Sequence, residues 1–105
     1  ENNEIKWKNV DLVETFNYIY GIDVKTIQKK QNQETIYIVV KGTCNEKDVV
    51  VVWRDKSNDF NPEEDKRFIE REILIEDFDE VFTNGSSLVR DAKSVDEIFK
   101  SHMFR

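Results

Sequence analysis

The chain has 105 residues, with 16 basic and 22 acidic side chains, a formal net charge of −6, and 38% hydrophobic against 36% charged residues. That length holds one hydrophobic core and not two, and the dense apolar runs Tyr37-Ile38-Val39-Val40 and Val49-Val50-Val51-Val52-Trp53 exclude a disordered chain. No apolar stretch approaches the roughly 20 residues of a membrane-spanning helix, and the acid excess, confined to residues 55–105, argues against autonomous gripping of a phosphate backbone.

In chain order, Asp11 with Glu14 three residues on forms a capping box. It opens a helix from about Leu12 to Tyr20, with Leu12, Val13, Phe16, Ile19 and Tyr20 on one face and Gly21 closing it. Three extended runs follow, Val24 to Lys29, Thr35 to Lys41 and Val49 to Arg54. Polar Lys30-Gln31-Asn32-Gln33 and a turn over Gly42 to Asp48 separate them, a spacing that predicts an antiparallel meander. The third run is apolar at consecutive positions, which predicts a strand covered on both faces at the centre of the sheet.

Pro62, followed by Glu63, Glu64 and Asp65, starts a second helix that reaches about Ile73. Glu80 to Thr83 reads as a short strand stopped by Asn84-Gly85. A strand-helix-strand unit makes a right-handed crossover, so this strand is expected parallel to the third. Ser94, with Glu97 at the box position, caps a last helix whose inner face carries Val95, Ile98, Phe99 and Met103. The expected fold is α/β, a mixed sheet of about four strands, antiparallel meander plus one parallel crossover strand, in the order α-β-β-β-α-β-α. It forms a single domain over residues 1–105.

No cluster suited to catalysis is visible. His102 and Cys44 could pair as base and nucleophile, but Cys44 is expected in a polar hairpin turn with no third orienting group. Asp55, Asn58, Asp59 and Asn61 lack the alternate spacing and central glycine of a calcium loop, and turn formation accounts for them. A freestanding small metal-dependent nuclease-like domain is the alternative reading. It needs carboxylates and a lysine clustered on adjacent strands, whereas Glu34, Asp48 and Asp55 fall at strand ends. Lys25, Lys29 and Lys30 form the one local basic cluster and read as a solvated strand end and turn. Trp53 ends a buried strand and belongs to the core. Trp7, Phe60 and Phe104 lie outside the periodic stripes and are the candidate partner contacts. The lone Cys44 suits a reducing cytoplasm, and the absence of an initiator methionine suggests a piece of a longer protein.

Four segments carry a resemblance. Asp11-Leu12-Val13-Glu14-Thr15-Phe16-Asn17-Tyr18 with Gly21, then Val51-Val52-Trp53-Arg54-Asp55, then Phe78-Asp79-Glu80-Val81-Phe82-Thr83-Asn84-Gly85, and finally Ile98-Phe99-Lys100 with Met103-Phe104 stand in order along the chain. Together they resemble the C-terminal domain of the methyltransferase (modification) subunit of type III restriction-modification systems, adenine-specific DNA methyltransferases. Phe82-Thr83 stands where that family more usually has Tyr-Val, and Ser86 where it has an acidic residue. The resemblance implies a parent protein that moves a methyl group from S-adenosylmethionine to the exocyclic amine of adenine, and places Arg105 near the natural terminus. It implies no catalytic, cofactor-binding or metal residue in this segment, because the Asp-Pro-Pro-Tyr motif and the glycine loop of such enzymes have no counterpart here. The implied role is non-catalytic: assembly of the methyltransferase homodimer, or docking of the ATP-dependent restriction subunit, with DNA held by other domains of the parent.

Overall fold

A computed structural model describes residues 12–56 and 60–98. Its elements are α1 (12–20), β1 (Asp23–Asn32), β2 (Thr35–Cys44), β3 (Lys47–Asp55), α2 (Pro62–Glu72), β4 (Glu80–Thr83), β5 (Lys93–Ser94) and α3, helical over 95–98 of the described residues. All strands join one sheet in the order β1-β2-β3-β4-β5. The first three run antiparallel, β4 lies parallel to β3 after the α2 crossover, and β5 lies parallel to β4.

The expected α/β architecture is therefore present, with five strands instead of four. The additional strand is the pair Lys93–Ser94, which sits beside Phe82 and Thr83. Two polar residues carry no hydrophobic period, so nothing local marks them as extended. The strands also run further than the apolar runs. Gln31 and Asn32 continue β1, and the first hairpin closes through Gln33 and Glu34 alone. The second hairpin closes on Asn45 and Glu46, whose φ values of 53° and 68° are those of a type I′ turn. Cys44 accordingly ends β2 instead of lying in a turn, and its thiol donates to the Tyr20 carbonyl at 3.4 Å. Lys30, expected in the turn, lies within β1 together with Lys25 and Lys29, which the expected strand already held.

Local signals account for the helix ends. Gly21, at φ 85°, closes α1, and the amides of Gly21 and Ile22 both donate to the Asn17 carbonyl. Asn61 caps α2 by accepting from the amides of Glu63 and Glu64, with Pro62 and three acidic residues in the first turn. Asp11 and the residues beyond Ile98 lie outside the described residues, but Ser94 Oγ does accept from the Asp96 amide at the start of α3.

The sheet separates two cores. Val13 and Phe16 of α1 and Val95 of α3 pack on Val40, Val49, Val51, Trp53 and Phe82. On the other face Phe68 and Ile69 of α2, with Ile73 and Val89, pack on Tyr37, Val39, Val50 and Val52. Because β3 alternates between these layers, Val49 to Val52 are all fully buried, as a central strand requires. Leu12, assigned to the inner face of α1 from its spacing, is instead 46% exposed.

Candidate functional site

The carboxyl ends of parallel strands are where α/β sheets hold ligands, and here the ends of β3 and β4 carry the densest polar assembly. The alternation of β3 places Arg54 on the α2 side, directly across from Tyr37 in the β2 ladder. The first turn of α2 brings Asp65 over both. Its carboxylate accepts from Arg54 Nη1 at 2.6 Å and from the Tyr37 hydroxyl at 2.7 Å. The Arg54 and Asp65 side chains are fully buried, so this is an ion pair inside the core. Burial, and after it the Asp65 carboxylate, raises the Tyr37 hydroxyl well above its ordinary range.

Asn84 completes the assembly. Its side-chain amide accepts from the Arg54 backbone N–H at 2.8 Å and donates to the Arg54 carbonyl at 2.9 Å, extending the β3–β4 pairing by one rung beyond the last strand residue. The Arg54 guanidinium also donates to Asn84 Oδ1 and to the Asn84 and Ser86 carbonyls. Gly85, at φ 76°, then turns the chain, and its amide donates to Asp96 of α3 at 2.9 Å. One arginine thus ties β2, β3, α2 and the loop after β4 together.

A cavity of about 340 Å³ opens beside this assembly, lined by Leu12, Trp53, Arg54, Lys56, Asn84 and Asp96 among others. Lys56 Nζ stands 5.0 Å from the Phe60 ring centre and Arg54 Cζ stands 5.5 Å from it. Burial, then repulsion from Arg54, lowers the Lys56 pKa. The Trp53 indole N–H is buried without a hydrogen-bond acceptor among the described residues. Four of the guanidinium's contacts are already made to protein oxygens, so Arg54 acts as a lock on the fold and not as a donor held ready for a ligand. The described residues hold no group of three or more His, Cys, Asp or Glu arranged to take a metal.

Of the candidate partner contacts, Trp7 and Phe104 lie outside the described residues, as do His102, Asn58 and Asp59. Phe60 is half-buried beneath the two cations named above. Glu34, Asp48 and Asp55 are exposed, with Asp48 and Asp55 at opposite ends of β3 and Glu34 in the turn before β2. The sequence places Tyr37 in an apolar run, Asp65 in a helix's first turn and Asn84 in a strand-ending turn but does not join them to Arg54, although an arginine ending an otherwise apolar buried strand is a signal that a buried partner must exist. Among the described residues the exposed large apolar side chains are Tyr18, Ile75, Ile27 and Leu88, at 88%, 72%, 56% and 53% exposure, with Leu12. Comparison with known protein families, curated proteins and solved structures gave no match.

Proposed function

We propose that this chain is a non-catalytic C-terminal domain of a type III restriction-modification adenine-specific DNA methyltransferase, serving subunit assembly or docking of the restriction subunit. One observation carries the reading: three of the segments that bear the resemblance converge in space. Phe16, from the first, stacks edge-on against Trp53 of the second at 6.0 Å and against Phe82 of the third at 5.5 Å. Arg54 of the second segment is held by Asn84 of the third. Between them Tyr20 packs on Phe82 at 4.9 Å and donates to Glu80 at 2.8 Å. Residues far apart in the chain that meet in this way build a scaffold, and here they form core and lock instead of a reaction centre.

The balance of charge supports protein contact over nucleic-acid contact, since an acidic chain repels a phosphate backbone. The test is deletion of this domain from the parent enzyme, with sedimentation velocity on the product. Loss of the methyltransferase dimer, or of co-sedimentation with the restriction subunit, while the remaining polypeptide still binds S-adenosylmethionine, is the expected result. Retention of both assemblies refutes the proposal, as does adenine methylation by residues 1–105 alone.

A further inference from the structure

The outermost strand, β1, is ten residues long, about twice the usual strand length. Its Val24 packs on the α1-side core, but most of the strand is exposed. Residues paired across a ladder share a face, so Ile27, Lys29 and Gln31, opposite Val40, Ile38 and Ile36, lie on the α1 side. Gln28, Lys30 and Asn32, opposite Val39, Tyr37 and Thr35, lie on the α2 side. Only Val24, Lys30 and Asn32 are even half-buried, and Ile27 is 56% exposed although its ladder partner Val40 is fully buried. The outer edge therefore offers a row of backbone donors and acceptors next to an exposed apolar side chain, the arrangement onto which an extended peptide adds.

Charge decides what can add. β1 carries three lysines and one aspartate in a chain of net charge −6. Antiparallel pairing of two copies about Lys29 or about Lys30 sets that lysine against itself, and any overlapped register lays six lysines and only two aspartates on neighbouring strands. Facing lysines disfavour a second copy, and the irregularity between Val24 and Thr26 disrupts the start of the edge further. A strand with carboxylates opposite these lysines meets the opposite condition.

We propose that β1 is a docking edge for an acidic extended segment of another protein, which adds to the sheet as a sixth strand with carboxylates facing Lys25, Lys29 and Lys30 and an apolar residue beside Ile27. The inference deepens the assembly role proposed above and rests on it, favouring a different partner chain over a second copy of this one.

The experiment titrates the isotope-labelled 105-residue chain with three probes while amide shifts are recorded: a ten-residue peptide with glutamate at the positions facing Lys25, Lys29 and Lys30, valine at the position facing Ile27 and threonine elsewhere, the same peptide with lysine for glutamate, and a twenty-nucleotide oligothymidylate. The glutamate peptide is expected to shift β1 amides and to bind at least tenfold more tightly than the lysine peptide. The triple variant Lys25→Glu, Lys29→Glu, Lys30→Glu, whose sites are exposed or half-buried, should keep the amide pattern of β2 and β3 and reverse that preference. Shifts centred away from β1, an unchanged preference in the triple variant, or tighter binding of the oligothymidylate to the same lysines overturns the inference. Introducing the triple variant into the parent enzyme separates the two proposals. If the domain deletion abolishes assembly but the triple variant does not, the docking edge is wrong and the assembly role stands; if the peptide binds β1 but the deletion leaves assembly intact, the assembly role is wrong.

Discussion

Asp65→Ala removes one carboxylate that accepts from both Arg54 and Tyr37. The arginine side chain is fully buried, so the variant leaves a guanidinium in the core without its counter-ion. Removing one partner of a buried pair costs about 3–5 kcal/mol, and the stranded Tyr37 hydroxyl falls within the same loss because both bonds end on one group. Domains of this kind are stable by roughly 5–15 kcal/mol, so the variant forfeits a large share of the total. Urea unfolding followed by tryptophan fluorescence should show a midpoint moved far to lower denaturant at an unchanged slope. The control replaces both charges, Arg54→Met with Asp65→Leu. It loses the guanidinium's bonds to the Asn84 and Ser86 carbonyls but strands no charge, and should be less destabilised than Asp65→Ala alone. A loss below about 1 kcal/mol in Asp65→Ala, or a double variant no better than the single one, refutes the assignment of Arg54 and Asp65 as a buried lock.

Three further outcomes follow from separate features. A Cβ at Gly42 would run into the Asp23 carbonyl of β1, so Gly42→Ala should cost about 1–3 kcal/mol and displace the amides at the start of β1, read by thermal unfolding and amide shifts. Asn61→Ala removes the cap shared by the Glu63 and Glu64 amides and should cost about 1 kcal/mol in urea unfolding, with Asn61→Asp restoring most of it. Burial, aided by the bond to Glu80, raises the Tyr20 hydroxyl to about 12 from an ordinary 10.0. The neutral form is favoured in the folded state, so this stabilisation is complete below pH 10 and is lost as pH rises through about 12. Tyr20→Phe should therefore flatten the fall in stability over that alkaline window, and a parent and variant with the same alkaline profile would contradict the Tyr20–Glu80 contact.

How far the sequence spoke differs between elements for physical reasons. The helix at Pro62 and the strand Glu80–Thr83 were legible because their signals are local: a proline with acidic residues in one case, a short apolar run stopped by Asn-Gly in the other. The all-apolar stretch of β3 announced a central strand because only a position covered on both faces tolerates valine at consecutive places. Lys30, Gln31 and Asn32 read as a polar turn after the run Val24 to Lys29 because a strand that buries little of either face shows no apolar alternation to mark where it ends.

By itself, then, the amino-acid order determined which segments are helical or extended, their succession, and the parallel return after α2, since capping, alternation and crossover handedness depend on neighbours along the chain. Tertiary structure alone decided that Arg54 meets Asp65 and Tyr37, that Asn84 prolongs the ladder, that Lys93–Ser94 pairs as a fifth strand, and that β1 stands at an open edge. Those are relations between residues 10 to 30 positions apart, fixed by where the sheet and its covering helices place them and by the requirement that a buried charge find its partner.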